Sequence, residues 1–206
     1  MLFSEEDLRK EWFSSGYALH FCSVSLGEFP MKYAHKKAIE YAKEEGMIIS
    51  FDPNLRPALW NDGEAMIQAV KEFLPYADIL KISDEELEAI TGTADISEGL
   101  KVLFQGNVKL VLYTEGAKGA RAFTKRISAA VEGKKVNAVD TTGAGDGFIG
   151  AFLYDMFQDG IMAEDIEYLS EQQLQKYLEF ANAFSGFSVQ RKGAIASYPT
   201  REEIRR

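Results

Sequence analysis

Cysteine occurs once in this chain of 206 residues, as Cys22, so no internal disulfide framework can hold the fold together. Within the apolar run YALHFCSVSL it reads as a small buried side chain. Histidine occurs twice. Neither His20 nor His35 stands at a spacing from Cys, His or acidic residues that suits a metal site, and both read as structural or surface residues. Runs of Lys and Arg are absent and the net charge is −9, which argues against the basic patch a nucleic-acid surface needs. No stretch approaches the roughly 18 apolar residues of a membrane span, and the acidic, amphipathic start MLFSEEDLRKEW is not a signal peptide. Cytoplasmic localisation without nucleic-acid or membrane partners is expected. Repeats, low-complexity stretches and linkers are also missing, so one domain is expected over residues 1–206.

What is present is an ordinary globular composition, 46% hydrophobic and 27% charged, enough for a substantial core. Apolar runs alternate with helical patterns. YALHFCSVS reads as a strand; Pro30 opens a helix with Tyr33, Ala34, Ala38, Tyr41 and Ala42 on one face, stopped by Gly46. MIISFD is a second strand, DILKIS a third and KLVLYT a fourth, with helices expected over 64–74, over DEELEAIT behind a Ser83 or Asp84 cap, and near 97–105. This rhythm predicts an α/β fold with a mostly parallel sheet flanked by helices. After Gly119 the short pieces ARAFTK, SAAVEG and KVNAVD predict an antiparallel edge, followed by two long helices over 147–157 and 171–190. Phe180, Phe184 and Phe187 recur at helical spacing and read as core. The glycine-rich and polar sequences DPNLR, SDEE and TEGAKG fall at strand ends, where open parallel sheets bind ligands.

The stretch AVDTTGAGDGFIGAF admits two readings. Gly145, Gly147 and Gly150 spell G-x-G-x-x-G, the dinucleotide fingerprint, which would make the chain an oxidoreductase. That fingerprint needs a following strand bearing an acidic residue about 20 positions on. Here the helix runs into QDGIMAEDIEYLSEQQLQ, which has no clear strand. The other reading is a phosphoryl-transfer site. Gly143, Ala144 and Gly145 lack bulky side chains, so their amides can point at an anion from the start of an apolar helix. Asp146 beside them can accept the proton of an attacking hydroxyl or, equally, serve as an ordinary helix-start carboxylate.

DTTGAGDGFIGAF resembles the C-terminal signature of the PfkB (ribokinase-like) carbohydrate kinases, with every position from Asp140 to Asp146 matching. TEGAKG, with Thr114, Gly116 and Gly119, resembles that family's T-x-G-x-x-G nucleotide loop. SDEE aligns with its N-x-x-E motif, with Ser83 where the family has Asn and Glu86 in place. FDPNLRPALW and ADILKISDEELEAITG are similar to fructokinases, with 2-keto-3-deoxygluconate kinases as the nearest competitors.

The resemblance implies a ribokinase-like fold, ATP and Mg²⁺, and a small-molecule sugar substrate phosphorylated on a hydroxyl, fructose to fructose 6-phosphate foremost. Asp146 is then the general base and the amides of Gly143, Ala144, Gly145 and Asp146 the anion hole. Thr114, Gly116, Gly119, Ser83, Glu86 and Asn182 border the nucleotide, with Glu86 reaching Mg²⁺ through water. Asp52, Asn54 and Arg56 serve the substrate or the phosphoryl group. K⁺, where used, sits at Asp140, Thr142, Ser188, Arg191, Gly193 and Ser197, many through main-chain carbonyls. The resemblance covers only the family's C-terminal two-thirds, the C-terminal part of a single PfkB-type domain. The family's N-terminal portion, which supplies the lid and much of a homodimer interface, has no counterpart in these residues. An unpaired sheet edge is therefore expected, and a catalytically weak, nucleotide-binding chain is a second functional class.

Overall fold

In a computed structural model that describes residues 2–204, the alternation of apolar runs and helical patterns becomes six strands and seven α-helices, with short 3₁₀ turns between them. The strands follow one another in chain order, β1-β2-β3-β4-β5-β6, as a mixed sheet flanked by helices. The chain divides into two compact units, Met1–Leu112 with Met162–Glu167, and Tyr113–Ile161 with Tyr168–Arg206.

The first unit holds β1 (Ala18–Cys22), α1 (Pro30–Glu44), β2 (Ile48–Asp52), α2 (Gly63–Phe73), β3 (Ile79–Ser83), α3 (Asp84–Thr91), α4 (Ile96–Leu103) and the first residues of β4 (Leu110–Thr114). Helix starts follow local chemistry. Pro30 occupies the first turn of α1, where its missing N–H is no loss. Asp62 caps α2 by accepting from the Glu64 amide, and Asp95 caps α4 by accepting from Ser97 and Glu98. β1 and β2 pair in parallel from Ala18–Ile48 to Cys22–Asp52, and β2 pairs in parallel with β3 at Ser50–Ile79 and Phe51–Leu80. All five residues of β2 are buried, as a strand covered on both faces requires.

Two expectations change here. Cys22 is only half-buried, because β1 stands at the end of the strand order and pairs on one side alone among the described strands. The face of α1 turned inward carries Lys32, Ala34, Ile39 and Ala42, whereas Tyr33 is half exposed. His20 is exposed, with Nδ1 3.0 Å from Ser50 Oγ, and His35 Nε2 lies 3.1 Å from Ser25 Oγ. Burial holds the His35 imidazole below the ordinary histidine range.

The second unit continues from β4 into β5 (Gly119–Phe123), β6 (Ser128–Glu132), α5 (Ala144–Gln158), α6 (Glu171–Ser188) and α7 (Arg201–Ile204). β5 and β6 are antiparallel, from Gly119–Glu132 to Phe123–Ser128. KVNAVD adds no strand: residues 133–139 are exposed or half-buried and irregular, with Val136 and Val139 turned outward, and the antiparallel edge ends at Glu132. The core of this unit is the seam between α5 and α6, where Phe152 meets Tyr177 edge-on at 5.6 Å, both fully buried. Each such side chain contributes about 1.5–3 kcal/mol by leaving water. The buried stripe of α6 is Leu174, Tyr177, Leu178 and Ala181. Phe180, Phe184 and Phe187 lie half-buried beside that stripe, against Tyr154, Tyr198 and the Arg191 guanidinium respectively. α6 packs on α5, β5 and β6, and these phenylalanines stand at the margin of that packing, flanking the core instead of filling it.

Candidate active site

In the first unit the site begins at the C-terminal ends of β2 and β3, where the polar turns of DPNLR and SDEE emerge. Asp52 ends β2 buried, with Oδ2 2.9 Å from the buried ammonium of Lys81 and Oδ1 accepting from the Asn54 amide at 3.2 Å. Asn54 has φ 46°, the left-handed region that a short polar side chain tolerates best among non-glycine residues. Glu86, in the first turn of α3, is 7% exposed and accepts three hydrogen bonds. Ser83 donates to Oε2 from both its amide and its hydroxyl at 2.9 Å, and the Leu55 amide donates to Oε1 at 2.8 Å. The bond from the Ser83 amide is half of a capping box, a local motif. The third comes from a loop 31 residues away and ties DPNLR to the start of α3. Asp52, Asn54, Ser83 and Glu86 are thus brought together. Arg56 is exposed and donates to the carbonyl of Leu55, bracing its own loop.

In the second unit the glycine-rich turn forms the start of α5. Gly143 is its N-cap with φ 76°, and an added Cβ there would lie 2.9 Å from both the Ala194 methyl and the Tyr198 hydroxyl. Glycine is therefore required twice over, by conformation and by space. The Gly143 carbonyl accepts from the Gly147 amide at 2.8 Å and from the Tyr198 hydroxyl at 2.7 Å. The Ala144 amide donates back to Thr141 at 3.1 Å. Of the expected anion-hole amides it is thereby engaged within the turn, and helix geometry leaves those of Gly145 and Asp146 without an acceptor one turn back. Asp146 stands in this first turn, exposed. Burial, and secondarily the Asp146 charge, pushes the Tyr198 hydroxyl above the ordinary phenol value.

The other residues of this unit fall into two groups. Gly116 and Gly119, with Thr114 at the end of β4, shape a tight turn whose Lys118 carbonyl accepts from the Gly133 amide at 2.9 Å. Gly119 has φ 114°, and a Cβ there would fall 2.0 Å from the Val131 carbonyl oxygen. The Asn182 side-chain amide donates to the neighbouring Glu132 carbonyl at 3.0 Å, so Asn182 and the Thr114–Gly119 turn both fasten to the end of β6. The second group centres on Asp140. Its carboxylate accepts from the Thr142 amide at 3.0 Å and the Gly193 amide at 2.9 Å, and these bonds hold its pKa down to about 2. The Ser188 carbonyl accepts from the Arg191 amide, the Ser197 hydroxyl donates to the Ala194 carbonyl at 2.7 Å, and the Arg191 guanidinium pairs with Glu203 at 3.0 Å. Among the described residues no three of His, Cys, Asp and Glu gather to hold a metal, and no helix is long and apolar enough to cross a membrane.

Two residues in these arrangements escape sequence reasoning. Tyr198 carries no local signal at all. Lys81 carries a faint one, a charge inside the otherwise apolar run DILKIS.

Comparison with known proteins gives these features a context. The pattern of the "pfkB family carbohydrate kinase" matches residues 2–201. The "Probable fructokinase-5" of Arabidopsis thaliana is 40% identical over 201 residues, which are 97% of this chain and 60% of that protein. The crystal structure of a fructokinase with bound ATP from Xylella fastidiosa superposes with a TM-score of 0.92 at 30% identity, covering 98% of this chain and 64% of that one. A fructokinase from Vibrio cholerae O395, in a form with fructose, ADP and calcium ion bound, gives 0.84 at 32% identity, covering 99% and 64%. This chain thus spans about 60% of the length of the curated relative and somewhat more of the crystallised ones.

Proposed function

This chain belongs to the pfkB family of carbohydrate kinases, and from that premise we propose that it serves the transfer of a phosphoryl group from ATP to a sugar hydroxyl, fructose giving fructose 6-phosphate. The observation that carries the reading is the first turn of α5, where an exposed carboxylate and two helix-start amides occupy consecutive positions. As the sugar oxygen bonds to the γ-phosphorus, the bond to the bridging oxygen of ADP breaks and the hydroxyl proton passes to Asp146. The amides of Gly145 and Asp146, with the positive end of α5, stabilise charge on the phosphoryl oxygens. Thr114, Gly116, Gly119 and Asn182 border the nucleotide, while Asp52, Asn54 and Arg56 belong to the acceptor side.

Mg²⁺ would neutralise phosphate charge when bound. Glu86 fits a water-mediated role toward it, since Oε1 accepts one protein hydrogen bond and keeps a lone pair for a metal-bound water. The oxygen-rich set of Asp140, Thr142 and the carbonyls and hydroxyls of Ser188, Arg191, Gly193 and Ser197 suits K⁺.

Calorimetric titration with Mg-ATP and a coupled assay of ADP release over a sugar panel test the reading. Mg-ATP binding with fructose-dependent ADP release is expected. Release with 2-keto-3-deoxygluconate instead would reassign the substrate. Mg-ATP binding without release on any sugar would make the chain a nucleotide-binding protein, and binding of NAD alone would return it to the oxidoreductases.

A further inference from the structure

We infer that Lys81 and Asp52 act as a positioning pair for the loop carrying Asn54 and Arg56, contributing to phosphoryl transfer through the backbone and not by touching substrate. The inference rests on the kinase reading for its role and on geometry for its substance. Continuing the β2–β3 register past Phe51–Leu80 by one residue brings Asp52 beside Lys81, and their charged atoms lie 2.9 Å apart at side-chain exposures of 2% and 7%. A buried ion pair is a poor stabilising device, because desolvation offsets most of the attraction. Its use must lie in what it holds. The second carboxylate oxygen of Asp52 accepts from the Asn54 amide, and the next amide, that of Leu55, donates to buried Glu86. Two consecutive amides are thus pinned by two buried carboxylates, at the one non-glycine residue with positive φ among those described. A buried carboxylate deprived of its cation is relieved by taking a proton or by moving. Protonation leaves Oδ1 able to accept, but movement of the ionised carboxylate gives up the Asn54 amide, lets its backbone leave the left-handed region and shifts Arg56 two residues on. Lys81 therefore acts through Asp52 on the loop.

The test compares the 206-residue chain with Lys81→Met, Lys81→Met/Asp52→Asn and Lys81→Met/Asp52→Leu, by NMR amide exchange and by kcat and KM for sugar and Mg-ATP. In Lys81→Met the Asn54 and Leu55 amides should exchange about tenfold faster, the loss of roughly one hydrogen bond to a charged group. The amides of Phe51 and Leu80 should keep their protection. The kcat should fall with the KM for Mg-ATP unchanged. Asparagine needs no counter-charge yet still accepts from the Asn54 amide, so the Asn double variant should recover both loop protection and kcat. The leucine double variant fills the space without an acceptor and should recover neither. Unchanged loop exchange in Lys81→Met, or equal recovery by both double variants, would overturn the pair's role. So would faster exchange spread evenly through β2 and β3. A wild-type chain inactive on every sugar would instead sink the kinase reading, and the exchange rates would still judge the hold on the loop.

Discussion

The Tyr198 hydroxyl donates to the Gly143 carbonyl across 2.7 Å, joining two segments 55 residues apart at the turn that starts α5. The tyrosine ring also meets Phe184 edge-on at 5.2 Å. Tyr198→Phe keeps the ring and removes the bond, while the Gly143 carbonyl retains the Gly147 amide. The expected loss is about 0.5–1.5 kcal/mol of stability, read from urea denaturation. No loss would mean that the hydroxyl fastens nothing.

Asp146→Asn separates chemistry from fold. The carboxylate is exposed at a helix start, so stability should fall by only about 0.3–1 kcal/mol. Turnover should fall by about 10² to 10⁴, the usual contribution of a general base, with Mg-ATP affinity preserved. Wild-type kcat in this variant would remove Asp146 from the mechanism.

Asp140 gives the acid limb of stability a defined component. Its folded pKa is depressed to about 2 by the Gly193 and Thr142 hydrogen bonds, against about 3.9 for an unfolded aspartate. A depressed carboxyl contributes stability that is complete above the unfolded value and is lost as pH falls through the folded one. Urea midpoints measured from pH 5 down to pH 2 should therefore fall more steeply for the wild type than for Asp140→Asn. Parallel curves would show that the bonds do not hold the ionised form.

Glu86→Ala strips acceptors from Ser83 and from the Leu55 amide at once. Stability should fall by about 1–3 kcal/mol, the desolvation cost of a buried donor left unpaired. Proteolysis should turn to the loop around Leu55, so new cleavage within residues 53–60 is the readout. A variant equally stable and uncut there would mean that Glu86 does not tether the loop.

Local chemistry was legible where a motif is closed within one turn of chain. The Pro30 start, the Ser83 cap and the glycine turn before α5 all appear where residue type demands. Cys22 and the phenylalanines of α6 were misjudged for the opposite reason: their burial depends on what stands beside them. An apolar run does not announce whether its strand is central or terminal in the order, and helical spacing does not say how wide a stripe the neighbour covers.

The residues alone determined the alternation of strands and helices, the glycine-rich turn at Gly143 to Asp146 and the kinship these motifs carry, because each is encoded within a few consecutive positions. Tertiary structure decided the partners. Leu55 with Glu86, Lys81 with Asp52, Gly193 with Asp140, Asn182 with Glu132 and Tyr198 with Gly143 all meet across roughly 30 or more residues. A carboxylate or carbonyl in sequence is only a capacity to accept. Which donor it accepts from is chosen when burial removes water as the alternative, and that choice exists only in the folded chain.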